Sequence, residues 1–171
     1  ERALQSVGEV SCLGDIVHNR VEVQRLEQLG LHTVSHEDMA DLGGRTLLIR
    51  AHGEPPRTYD RAEQLGITII DATCPVVARL QRRVSEAYNK MQEMGGSVVL
   101  LGKRGHAEVI GLTGQVNDDV VVIEGEADLN LIDFSRPIYF LSQTTQSIGL
   151  FNQLAQEIKS RAEGVEVTID D

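Results

Sequence analysis

Leu13-Gly14-Asp15-Ile16-Val17-His18-Asn19-Arg20-Val21 recurs further along the chain as Leu101-Gly102-Lys103-Arg104-Gly105-His106-Ala107-Glu108-Val109, with Leu-Gly-x3-His-x2-Val in common. Each copy follows a short apolar run and opens a stretch of helical period, so each reads as the turn between a strand and a helix. Working outward, strands are expected at 8–13, 46–50, 67–71, 97–101, 120–123, 137–141 and 165–169, all short and rich in Val, Ile and Leu. Helical period fills most of the gaps. The clearest case is 76–94, where Val76, Leu80, Val84, Ala87, Met91 and Met94 recur on one stripe between Pro75 and Gly95-Gly96. A second spans 147–162, and shorter helices are expected at 21–29, at 36–42 behind a Ser35/Asp38 capping box, and at 57–65 after Pro55-Pro56.

This alternation predicts the α/β class, with mainly parallel sheets flanked by helices. The repeat extends beyond its first motif. In each half a later strand runs into a polar turn, Ala51-His52-Gly53 or Ser142-Gln143-Thr144-Thr145, then a helix, then a strand ending in Ile-Asp, which pairs Asp71 with Asp170. Two similar small domains follow, 1–74 and 75–171, with the boundary at Cys74-Pro75.

Composition narrows the function. The 171 residues are 41% hydrophobic and 25% charged, as in a globular protein, and no run approaches the roughly 18 apolar residues of a spanning helix. With 16 basic against 26 acidic residues the formal charge is −10, which disfavours nucleic acid and anionic membranes as partners. Only 4% of residues are aromatic and none is Trp, leaving few platforms for stacking bases. Two cysteines with no CxxC pair point to a reducing compartment and away from a self-contained zinc site. The start, Glu1-Arg2-Ala3-Leu4, has no initiator Met and no signal-peptide layout, so a piece of a longer protein is expected.

Open α/β sheets bind ligands at the carboxyl ends of their strands, and His18, His52, Cys74, His106 and Thr144 all fall just after one. Three imidazoles at such an edge suit a phosphate or a metal. His32 and His36, which no strand end or motif marks, are read as ordinary surface or core imidazoles. Cys74 precedes a long helix, whose positive end favours thiolate, a nucleophile or a metal ligand. Cys12, inside the first expected strand, reads as a structural core residue. Glu108 is a plausible acid or base, or else a partner of its helix dipole. No GxGxxG and no P-loop is present, so dinucleotides and nucleoside triphosphates lack support. The expectation is a common cleft lined by His18, His52, His106, Glu108 and Thr144, with Cys74 at its inner edge.

Five motifs in order, Asp15-Ile16-Val17-His18-Asn19, Ile49-Arg50-Ala51-His52-Gly53, Asp71-Ala72-Thr73-Cys74-Pro75, Gly105-His106-Ala107-Glu108-Val109-x-Gly111 and Ser142-Gln143-Thr144-Thr145-x-Ser147, resemble the 4-hydroxy-3-methylbut-2-enyl diphosphate reductase (LytB/IspH) family along the whole chain. One wording differs, since the family usually has Pro where Ala107 stands. The resemblance implies a trefoil of three related α/β domains around a 4Fe-4S cluster held by three cysteines, of which this chain would supply the first two leaves. It implies an iron-sulfur oxidoreductase of the non-mevalonate isoprenoid pathway in the bacterial cytoplasm. The reaction is reductive dehydroxylation of a small diphosphate substrate to isopentenyl and dimethylallyl diphosphate, with ferredoxin or flavodoxin as electron donor. Position by position, Cys74 matches the middle cluster ligand, and His18, His52 and His106 match the histidines around the diphosphate and the substrate hydroxyl. Glu108 matches the catalytic acid, Thr144 the threonine that holds the hydroxyl and passes protons, and Gln143 and Thr145 neighbouring pocket residues.

In that pattern the first cluster cysteine falls before Glu1 and the third beyond Asp171, the Ser-x-Asn motif of the third domain is missing, and Cys12 is no substitute ligand. The chain by itself is therefore expected to hold no stable cluster and to be inactive. Two other readings stay open: a non-redox diphosphate-binding module, and a thiol-dependent hydrolase using Cys74.

Overall fold

The computed structural model describes residues 2–17 and 19–170, and the chain divides into two compact units, Glu1–Cys74 and Pro75–Asp171. The first unit runs α1 (Arg2–Val7), β1 (Val10–Leu13), α2 (Arg20–Gln28), β2 (Leu31–Val34), a 3-10 turn (Asp38–Asp41), β3 (Thr46–Ile49), α3 (Pro56–Gln64) and β4 (Thr68–Asp71). The second runs α4 (Pro75–Met94), β5 (Ser97–Leu101), α5 (Ala107–Thr113) with a short 3-10 turn (Gly114–Val116), β6 (Val121–Ile123), a 3-10 turn (Glu126–Leu131), β7 (Ile138–Ser142), α6 (Ile148–Arg161) and β8 (Val167–Ile169). Each unit holds one four-stranded sheet, in the orders β2-β1-β3-β4 and β6-β5-β7-β8. Every pairing is parallel.

Both faces of each sheet are covered, which is why the strands read as unbroken apolar runs. In the second unit Val99, Leu101, Ile138 and Phe140 pack against Phe151, Leu154 and Ile158 of α6. Their neighbours Val98, Leu100 and Leu141 turn the other way, onto Leu80, Val84 and Met91 of α4 and Val109 and Leu112 of α5. The rings of Phe140 and Phe151 stack with centroids 4.8 Å apart. In the first unit Leu13, Leu47 and Ile49 meet Met39 and Ala62 of α3, while Val10 and Cys12 meet Leu4 of α1 and Leu26 of α2.

The helix ends follow the expected chemistry. Asn19 accepts the Val21 and Glu22 N–H groups at the start of α2, Ser147 accepts the Leu150 N–H at the start of α6, and α3 begins at Pro56. The Asp38 carboxylate takes the Ser35 N–H at 2.7 Å, as the capping box requires, but only a 3-10 turn follows where a helix over 36–42 is expected. Leu42 and Met39 anchor that turn in the core, and the chain then drops through Gly43-Gly44 into β3. Strand β2 is not foreshadowed in the sequence pattern, because on this edge strand only Leu31 is buried.

The register corrects one pairing. Leu13 and Leu101 occupy the same place, since the next residues, Gly14 and Gly102, donate to Val34 and Ile123 at 2.8 and 2.9 Å. Counting across through β3 and β7 sets Leu47 level with Phe140, whose partners are Ile69 and Ile169. Asp170 is therefore the counterpart of Ile70, one residue short of the Asp71 position, and its side chain belongs to the opposite face. There it takes both ends of the Arg83 guanidinium and the Tyr139 hydroxyl.

Candidate functional site

In a sheet of order 2-1-3-4 the chain leaves the first and third strands in opposite directions, opening a crevice between their carboxyl ends. In the second unit that crevice lies between the turn after β5, Gly102–His106, and the turn after β7, Gln143–Gln146. His106 caps α5, its Nδ1 accepting the Glu108 N–H at 3.2 Å. A ring nitrogen that accepts carries no proton, so the ring proton sits on Nε2 and makes that atom the donor. Glu108 is only 1% exposed, and a buried carboxylate needs donors. Thr144 supplies two: its N–H reaches Oε1 at 2.7 Å and its hydroxyl reaches Oε2 at 2.9 Å. Thr144 itself is exposed. A carboxyl group hidden behind a surface hydroxyl can pass a proton outward through that hydroxyl to a group bound at the strand ends.

Gln143 ties the two turns together. Its Oε1 accepts the Lys103 N–H at 2.6 Å and its Nε2 donates to the Thr145 hydroxyl at 2.7 Å. The side chain lies across Gly102, where a Cβ would stand 3.0 Å from Gln143 Oε1 and 2.6 Å from Val109 Cγ2.

The first unit has the same crevice, with different residues in it. Arg50, the counterpart of Gln143, crosses Gly14 and donates to the Asp15 carbonyl at 3.2 Å. The turn after β3 closes through Gly53 N–H to Arg50 C=O at 3.0 Å and presents His52, half-buried. Cys74 is tied to the same turn, its N–H donating to the Ala51 carbonyl at 2.9 Å, and its partly exposed thiol is unbridged. Within this unit no described imidazole hydrogen-bonds the Cys74 sulfur. Cys12 lies in the core; burial, partly opposed by the nearby Arg50 charge, pushes its thiol up to about 11.

His18 lies outside the described residues. Of the remaining residues singled out in the sequence, His52 and Cys74 meet at the Ala51 turn of the first unit, and His106, Glu108, Gln143, Thr144 and Thr145 meet at the crevice of the second. A further pair falls outside the residues singled out: His36 Nε2 stands 2.8 Å from Glu54, a carboxylate 5% exposed that also takes the Thr58 hydroxyl at 3.2 Å. Its one available signal was a charged residue between His52-Gly53 and two prolines.

The family model described as LytB protein matches residues 1–171. Curated relatives include the 4-hydroxy-3-methylbut-2-enyl diphosphate reductases of Parabacteroides distasonis, 52% identical over 97% of this chain and 58% of the relative, and of Porphyromonas gingivalis, 48% identical over 92% and 54%. Among solved structures, the E-1-hydroxy-2-methyl-but-2-enyl-4-diphosphate reductase from Plasmodium falciparum superposes with a TM-score of 0.80 at 26% identity, over 97% of this chain and 54% of that one. An (E)-4-hydroxy-3-methyl-but-2-enyl diphosphate reductase, described as the terminal enzyme of the non-mevalonate pathway, gives 0.80 at 32% identity over 98% and 59%. The chain spans about half the length of the relatives it matches. No helix among the described residues is long and apolar enough to cross a membrane.

Proposed function

The chain belongs to the LytB protein family, and from that membership we propose that it furnishes two α/β leaves of a 4-hydroxy-3-methylbut-2-enyl diphosphate reductase. The observation that carries the reading is the buried Glu108 carboxyl bonded to the exposed Thr144 hydroxyl at a strand-end crevice. Reductive dehydroxylation breaks an allylic C–O bond, consumes two electrons and two protons, and releases water with isopentenyl or dimethylallyl diphosphate. Hydroxide is a poor leaving group, so the step needs a proton at the oxygen as the bond breaks. Once protonated, Glu108 gives its proton to Thr144 Oγ1 while the Thr144 hydroxyl passes its own to the substrate oxygen that it holds.

His106 Nε2 donates toward the substrate, and His52 and His18 serve the diphosphate, whose charge the acidic chain otherwise repels. Thr145 and Gln143 complete the turn that carries Thr144. Cys74, partly exposed and directly ahead of a twenty-residue helix, suits a ligand to one iron of a 4Fe-4S cluster. When bound, that cofactor supplies the electrons and a Lewis-acidic iron. Cys12, fully buried and with a raised thiol, does not suit ligation. The remaining ligands come from outside residues 1–171, in a third leaf of the trefoil and ahead of the first. The reductase works in the bacterial cytoplasm and draws electrons from a ferredoxin or flavodoxin. A thiol hydrolase at Cys74 fits less well, because among the described residues of its own unit no imidazole hydrogen-bonds the sulfur.

An anaerobic assay of a full-length family polypeptide carrying this sequence, with reduced viologen as electron source, tests the proposal. Stoichiometric reductant use with formation of the two isoprenoid diphosphates is expected. Loss of substrate without reductant, or release of phosphate, would point to one of the rival chemistries. The 171-residue chain, reconstituted with iron and sulfide, should show no stable cluster by paramagnetic resonance.

A further inference from the structure

Gln143 is 3% exposed, and both ends of its amide are engaged inside the second unit. Its backbone is fixed as well, the N–H donating to the Leu101 carbonyl at 2.9 Å and the C=O accepting the Gln146 N–H at 3.2 Å. Thr144 therefore sits between a residue pinned to β5 and a residue, Thr145, whose hydroxyl is held by that same amide. The other end of the amide holds Lys103, whose carbonyl accepts the His106 N–H at 3.1 Å. One buried side chain thus spans the crevice and sets the distance between the turn that carries His106 and Glu108 and the turn that carries Thr144.

We infer that Gln143 is a positioning residue, which aims the Thr144 N–H and hydroxyl at Glu108 by clamping both turns and acts without contact to substrate. The counterpart in the first unit supports a built-in device. Arg50 crosses the equivalent glycine and bonds the equivalent residue, donating to the Asp15 carbonyl where Gln143 accepts from the Lys103 N–H. The side chain after the third strand thus clamps the turn after the first in both units, with opposite polarity. The functional weight of the inference rests on the reading of Glu108 and Thr144 as the proton-donating pair; the clamp itself does not.

The test uses the chain as it stands and no turnover measurement, so it can fail independently of the reductase reading. Amide hydrogen exchange is followed by NMR at Lys103 and Thr144, with Val99 and Phe140 in the central strands as references, in Gln143→Leu and Gln143→Glu. Thr144 donates to Glu108 and not to Gln143, so its exchange reports transmitted positioning and not the loss of its own partner. Gln143→Leu should speed exchange at Thr144 by at least about tenfold with the reference amides unchanged. Gln143→Glu should restore it to within about threefold, because a carboxyl group in either protonation state accepts from Lys103 and shares a hydrogen bond with the Thr145 hydroxyl. Wild-type protection of Thr144 in Gln143→Leu would overturn the inference. If that variant loses protection everywhere, the Glu variant decides: fast exchange at Thr144 beside protected reference strands would overturn it equally.

Discussion

The two units share a frame down to individual hydrogen bonds, and they differ in the residues just past the carboxyl ends of their strands. Gly14 and Gly102 donate to the neighbouring strand at 2.8 and 2.9 Å, and Gly53 and Gln146 close equivalent turns at 3.0 and 3.2 Å. Within that frame the first unit places a cation, Arg50, and an imidazole, His52, where the second places a neutral amide, Gln143, and the hydroxyl of Thr145. The second adds a buried acid, Glu108, held by Thr144. Parallel strands covered on both faces fix the backbone, so the residues past their carboxyl ends are free to differ in chemistry. On the proposed function, the first unit holds an anion and the second delivers a proton.

Four substitutions, one of them read through an alkaline titration, probe that comparison at the level of stability. The largest effect is expected from Phe140→Ala, which removes a ring stacked on Phe151 in a fully buried face. It should cost the second unit about 3–5 kcal/mol and leave the first untouched, read as a split denaturation profile followed by residue-resolved NMR. A single transition shifted as a whole would mean that the two frames are energetically one.

Next is an alkaline effect confined to the first unit. The Cys12 thiol rises in the folded state from its ordinary 9.0 to about 11, so the native unit keeps its proton longer than the unfolded chain does. The stabilisation is complete below pH 9 and disappears as pH climbs through about 11, a loss of about 2–3 kcal/mol. Cys12→Ala should flatten that slope in urea titrations across the window, despite a lower starting stability.

The smallest effects separate the two glycines. Gly102→Ala should cost about 1–3 kcal/mol, because the new methyl meets Val109 inside the core. Gly14→Ala, at φ +73°, should cost about 1–2 kcal/mol, chiefly backbone strain, since the Arg50 tip can move aside. A larger loss at Gly14 would show the first clamp to be the stiffer one.

The sheets were legible because buried parallel strands announce themselves as apolar runs bounded by turns. Strand β2 was not, since His32 and Thr33 point outward from an edge and leave Leu31 alone as its buried residue. Helix α1 escaped for the same reason, with only Leu4 buried. At the site, strand-end placement singled out Glu108 and Thr144 separately. Their hydrogen bond could not be read, because it joins turns far apart in sequence whose approach is set by sheet order. Nothing in the sequence marks Arg50 apart from the motif that contains it, and only the register shows it as the counterpart of Gln143. The Asp71–Asp170 pairing rested on a shared Ile-Asp ending, which carries no register information and so slipped by one residue.

The most direct test is steady-state kinetics of a full-length family polypeptide carrying this sequence, with His52→Ala and Glu108→Gln measured side by side on 4-hydroxy-3-methylbut-2-enyl diphosphate. A division of labour predicts that His52→Ala raises KM by about tenfold or more with kcat nearly unchanged. Glu108→Gln should lower kcat by about 10²- to 10⁴-fold with KM within a few-fold of wild type. Wild-type kcat in Glu108→Gln would contradict the account and leave the buried carboxylate as no more than a structural partner of Thr144.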